Sequence, residues 1–184
     1  MRWLAVILFV VVALGQAAGV LARQNDPRLD PLFDALLTTD DGPEAQTLER
    51  RIWDIWLESG DEKIDALMAI GTRAMGERKF KLALESFDAV IEADADYAEG
   101  WNKRATLYYL MGDYEASIAD VQRTLALEPR HFGALSGMGL ISAALEDEKA
   151  ALDWYDQALA VNPHMPFIKL RAEILRAKLR GEAI

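Results

Sequence analysis

Large and small apolar positions recur along this chain at a fixed interval. From Trp101 the sequence reads WNKRATLYYLMGDYEASIADVQRTLALEP, with apolar residues at helical spacings around a central Gly-Asp and a closing Pro. Displaced by 34 residues in either direction the pattern returns. Trp101 aligns with Leu67 and Leu135, Ala105 with Gly71 and Gly139, Val121 with Phe87 and Tyr155, and Pro129 with Ala95 and Pro163. Large residues fall on large ones and small on small, the mark of a tandem repeat. Each unit reads as two helices. Gly71, Ala105 and Gly139 on the first helices, with Ala83, Ser117 and Ala151 on the second, allow close approach, and the large residues fill the space beside them. The turns MGER, MGDY and LEDE separate the two helices, Asp113 is predicted to cap the second helix of the middle unit, and Pro129 and Pro163 end second helices. No alternating run bounded by turn residues predicts a strand.

Three units are delimited in this way, 64–97, 98–131 and 132–165. They resemble the tetratricopeptide repeat family, whose unit is a helix-turn-helix with a large residue fourth, small residues eighth and twentieth, and a Pro thirty-second. The middle unit carries the resemblance best, in Trp101, Ala105, Tyr108, GDYEAS and LALEP; the first has Ala95 where Pro is usual. The resemblance implies an all-α, superhelical array of helix hairpins (an α-solenoid) whose first helices line a concave, partner-binding face. A hairpin of this kind keeps apolar surface that only a stacked neighbour covers, so the array needs ends. Residues 166–184 are predicted to form a closing amphipathic helix, apolar at Phe167, Leu170, Ile174, Leu175 and Leu179. Residues 32–63 form a further helix pair in the same register, Phe33 matching Leu67 and Trp53 matching Phe87. With Glu49 where a small residue belongs, the pair reads as a degenerate unit or N-terminal cap.

Ahead of these lies a different composition. Residues 3–14 are apolar without a charge, and a small-residue stretch follows, with Val20 and Ala22 suited to a signal-peptidase site. Residues 1–22 are expected to be a secretory signal peptide, or a membrane anchor spanning residues 3–22 if uncleaved. Either places the rest outside the cytoplasm, in the periplasm if the source is a Gram-negative bacterium. Residues 23–31, with two prolines, read as a linker.

Charge and composition narrow the function. The net charge is −10, which opposes binding to a phosphate backbone, so no nucleic-acid partner is expected. There is no Cys, which excludes disulfides, thiolate metal sites and thiol nucleophiles. His131 and His164 are the only histidines and stand one unit apart, so no metal site is expected. GALSGMG and GMGLIS miss the nucleophile-elbow and dinucleotide patterns, and their glycines are read as packing positions. The chain is therefore expected to be non-catalytic and to need no cofactor.

On the concave face the expected groove residues are Met68, Thr72 and Met75 of the first unit, Asn102, Lys103, Thr106 and Tyr109 of the second, and Ser136 and Leu140 of the third. Their expected partner is a peptide or protein, as part of an exported assembly. Some family members grip a C-terminal carboxylate with Lys, Asn and Arg; the corresponding positions here hold Met68, Thr72, Gly133 and Gly137, so that clamp is absent. The small wall around Gly133 and Gly137 leaves room for a ligand side chain or for the C-terminal helix folding back. Trp53 and Trp56, three apart and so on one helical face, either staple the N-terminal pair to the first unit or form a second interface; the alternative to a partner-binding groove is a homo-oligomeric module that self-assembles through this Trp face or through the cap helix. Arg104, among apolar positions, is expected to snorkel or to bond backbone.

Overall fold

The computed structural model describes residues 26–181, and residues 1–22, with their expected signal or anchor, lie outside them. Among the described residues there are nine α-helices and no strand: α1 (Leu29–Thr38), α2 (Gly42–Leu57), α3 (Glu62–Gly76), α4 (Phe80–Ala93), α5 (Ala98–Met111), α6 (Tyr114–Leu127), α7 (Phe132–Ala144), α8 (Glu148–Val161) and α9 (Pro166–Leu179). Helix α1 begins inside the stretch read as linker. Pro31 falls in its first turn, where a missing N–H breaks no intrahelical bond.

Helices α3–α4, α5–α6 and α7–α8 pack as hairpins, and α4 on α5, α6 on α7 and α8 on α9 stack them. The repeat fixes the turns as well as the helices. Asp113 and Asp147 cap α6 and α8 by accepting from Ala116 N–H (3.2 Å) and Ala150 N–H (3.0 Å). Arg78, Gly112 and Glu146, spaced by 34, all take left-handed backbone (φ 58°, 79° and 64°) between the two helices of a unit. Between units, the side chains of Asp94, Glu128 and Asn162 each accept the N–H two residues on, at 3.0, 2.9 and 2.9 Å.

Hairpin contacts follow size complementarity. A Cβ at Gly71 would lie 2.5 Å from the Phe87 ring and one at Gly139 2.4 Å from Tyr155. The second unit pairs Ala105 with the smaller Val121. Gly71→Ala is therefore expected to destabilise by about 1–3 kcal/mol through overpacking. With Phe87→Val, which reproduces the second unit's pair, the added methyl should cost far less. Urea unfolding of the single and double variants measures that coupling.

Arg104 differs from expectation. Rather than snorkelling, its guanidinium grips both oxygens of Asp120 on α6 (2.8 and 2.9 Å) and Asp88 on α4 (2.7 Å), over the ring of Trp101. One cation thus ties α5 to the helix before and the helix after it.

The N-terminal pair is the larger correction. It does not stack on the first unit: Ile70, whose counterparts Arg104 and Met138 face a preceding helix, remains 46 % exposed. Instead α1 and α2 lie across the starts of the later units. Tyr97 donates its hydroxyl to the Leu57 carbonyl (3.1 Å), the Trp56 indole stacks on His131 (ring centroids 4.2 Å apart, planes within 8°), and Met165 packs against the α1–α2 core. Tyr97, His131 and Met165 are the last residues of the three units, one from each. Phe33 contacts Phe132, Arg130 lies over the Phe33 ring and pairs with Asp30, and His164 Nε2 lies 3.1 Å from the Leu36 carbonyl. The pair is a strap joining all three units. The reason is chemical: a flat aromatic surface fits the line of unit ends, and the first unit's outer face offers no matching ring.

Candidate partner-binding groove

Helices α3, α5, α7 and α9 share the face expected to be concave, and pockets recur along it. Between α5 and α7 lies one of about 130 Å³, lined by Asn102, Thr106 and Tyr109 on one side and Ser136, Gly137 and Leu140 on the other. Five of the expected groove residues meet there. Met68 and Thr72 line a separate hollow beside Leu57, at the end of the strap. Met75 is partly buried in the core of the first unit. A further pocket, of about 360 Å³, opens between α7 and α9. Its lining repeats that of the first pocket one unit on: Gly133 becomes Phe167, Ser136 becomes Leu170, Gly137 becomes Arg171 and Leu140 becomes Ile174.

The small wall of α7 is divided between two uses. Gly133 faces the strap, where a Cβ would lie 2.7 Å from the Trp53 ring; Gly137 has no atom within 4 Å of a Cβ position and stays open to the groove. Helix α9 packs on α8 rather than folding back onto this wall. The Trp pair is likewise internal. Trp56 is 2 % exposed, and Trp53 is half-buried among Trp56, His131 and Phe132, so neither a free second interface nor a staple to the first unit describes them.

Beneath the strap lies a buried polar cluster. His131 caps α7: its Nδ1 accepts from Ala134 N–H (3.0 Å), which leaves the ring proton on Nε2 to be donated to Glu99 Oε2 (3.0 Å). Asn102 Nδ2 donates to the same oxygen (2.9 Å), and the Lys103 ammonium pairs with Oε1 at 3.0 Å while lying over the Trp53 ring. Burial pushes the Glu99 carboxyl up, but the His131 hydrogen bond and the Lys103 charge outweigh it and hold the group below its ordinary value. Asn102 and Lys103, expected to meet a ligand, are thus engaged within the fold. The residue that sequence reasoning missed is Glu99, as organiser of this cluster; Gly137 had a place in the expected small wall. Glu99 carried a signal, since its counterparts one and two units on are Gly133 and Phe167. Among the described residues, no group of three or more His, Asp or Glu is placed to hold a metal ion, and no helix is long and apolar enough to cross a membrane.

Comparison with known proteins agrees with this geometry. The tetratricopeptide repeat family model matches residues 68–120 and 103–166. A TPR repeat-containing protein of Rhizobium etli is 36 % identical over 154 residues, which span 84 % of this chain and 76 % of that protein. Among solved structures, the first TPR of Spaghetti (RPAP3) bound to an HSP90 peptide superposes with a TM-score of 0.61 at 19 % identity, over 65 % of this chain and 94 % of that one. PilF of Pseudomonas aeruginosa superposes with a TM-score of 0.61 at 21 % identity, over 84 % and 72 %. At such identities the two structures speak for the fold alone.

Proposed function

The chain belongs to the tetratricopeptide repeat family, and from that membership we propose that it is a non-catalytic adaptor holding a peptide or protein partner in its concave groove. Domains of this family generally mediate protein–protein interaction. The observation that carries the reading is the pair of successive open pockets on one face, α5 to α7 and α7 to α9, with the same lining positions one repeat apart. The RPAP3 domain, of the same fold, holds a peptide. The strap supports the reading from another side: Trp53, a side chain of the chain's own α2, already lies against the groove wall at Gly133. We place the adaptor outside the cytoplasm, as part of an envelope assembly, on the pattern of residues 1–22 as a signal peptide or anchor.

The test is capture from the native envelope after crosslinking, wild type against Gly137→Phe. That substitution fills the α5–α7 pocket from a position with free space and a helical backbone, so the fold should tolerate it. A protein captured by the wild type and lost with Gly137→Phe is the expected result. Undiminished capture by the variant would move binding off this groove. Recovery of the chain alone would favour self-assembly through α9, whose Phe167 and Leu170 are more than half exposed.

A further inference from the structure

The pocket between α7 and α9 differs in chemistry from its neighbour. Where the α5–α7 pocket has Gly133, Ser136 and Gly137, this one has Phe167, Leu170 and Arg171. Phe167 (57 % exposed), Leu170 (55 %) and Ile174 (41 %) leave an apolar wall uncovered. Its base is Tyr155, whose ring packs against Gly139 and whose buried hydroxyl has no acceptor for its proton. The Arg171 charge acts on that hydroxyl. A guanidinium only donates, however, so the phenol proton still has no acceptor. Burial pushes the phenol above its ordinary value against the pull of Arg171, and the hydroxyl stays a donor at neutral pH. Arg171 is itself exposed, over the Phe167 ring at 4.6 Å. Two neighbouring basic residues are used differently: Arg176 pairs with Asp156 and Lys178 with Glu148. The pocket therefore offers a cation, a buried donor and an apolar wall, and lacks an acceptor. A buried donor left unpaired is destabilising.

We infer that this pocket takes an acidic peptide segment of the partner, with a bulky apolar side chain against Phe167, Leu170 and Ile174 and an adjacent carboxylate on Arg171 and the Tyr155 hydroxyl. The inference rests on the groove reading above and names its ligand chemistry. The Arg171 cation at the pocket, on a chain of net charge −10, marks this end of the groove as complementary to an acidic ligand.

Fluorescence anisotropy on the full chain tests it with three labelled, amidated peptides of equal length. One carries Glu-Leu-Leu-Glu in a Gly/Ser background, one has Gln for Glu, and one has Ala for Leu. The first should bind, and each analogue should bind about tenfold or more weakly. Arg171→Gln should weaken the first peptide to a similar extent and abolish its advantage over the Gln analogue. Tyr155→Phe, which keeps the ring on Gly139, should weaken binding while raising the melting temperature of the free protein, a combination that loss of fold does not produce. Equal affinity for all three peptides, no binding of the first, or indifference to Arg171→Gln overturns the inference. So does saturable binding of decanoate, sensitive to Arg171→Gln, without any peptide binding, which would assign the pocket to a lipid carboxylate. A native partner lost with Gly137→Phe but unaffected by Arg171→Gln would leave the groove reading standing and remove this one.

Discussion

Trp56→Ala is expected to cost about 3–5 kcal/mol, the range for emptying a large aromatic site in a core. The indole is buried, stacks on His131 and touches Phe33, Trp53 and Phe132. It therefore serves three elements together: α1, α2 and the start of α7. The pattern of loosening matters more than the total. Hydrogen exchange should rise first in α1 and α2 and at the unit ends that the strap covers, Tyr97, His131 and Met165. Helices α3 and α4 should keep their protection, because Ile64, Met68 and Ala74 pack with Ala83, Phe87 and Val90 in a core that holds no residue of α1 or α2. If the pair were instead a cap stacked on the first unit, α3 would lose protection first, and that outcome would contradict the strap. Trp53→Ala, at a half-buried ring against Gly133, should cost less and widen the groove.

The strap also shows where the sequence stopped being readable. The array was legible because its constraint is local and periodic. The second-helix residue and the small residue opposite it recur every 34 residues: Phe87 and Tyr155 each face a Gly, at Gly71 and Gly139, and the smaller Val121 between them is paired with Ala105. The face shared by Thr106, Tyr109, Ser136 and Leu140 follows from the same period. The placement of α1 and α2 obeys no period. Their apolar spacing matches a repeat unit, Phe33 with Leu67 and Trp53 with Phe87, because any amphipathic hairpin of similar length satisfies it. What decides the docking is a line of unlike residues, Tyr97, His131 and Met165. They offer an O–H donor, a stacking ring and a thioether, which share a position in the unit and no chemical type. Asn102 and Lys103 took a second role that the sequence did not show, for a related reason: Asn102 lines the α5–α7 pocket and also bonds Glu99, and Lys103 pairs with Glu99. Helical register places them toward the groove, and Glu99, one turn back, engages both of them from beneath the strap.

Glu99→Ala should be among the most damaging single changes in the chain. Removing one partner of a buried, hydrogen-bonded charge pair typically costs about 3–5 kcal/mol, since the remaining groups stay buried without it. Here the buried groups are the His131 Nε2–H and the Asn102 amide, with the partly exposed Lys103 ammonium, around a carboxylate that is 1 % exposed. Glu99→Gln keeps the shape and an acceptor oxygen but loses the charge, and should cost less than Ala. The pH dependence separates this account from simple loss of packing. The Glu99 carboxyl is held below its ordinary value of 4.5 in the folded chain, so it binds protons more weakly there than in the unfolded chain. Its contribution is complete above about pH 4.5 and is lost as the pH falls through the lower folded value. Urea midpoints across the acid range should therefore fall more steeply for the wild type than for Glu99→Gln, the two curves converging at low pH. Parallel curves would mean that the carboxylate's charge adds nothing to the cluster, and that its shape alone holds Asn102 and His131 beneath the strap.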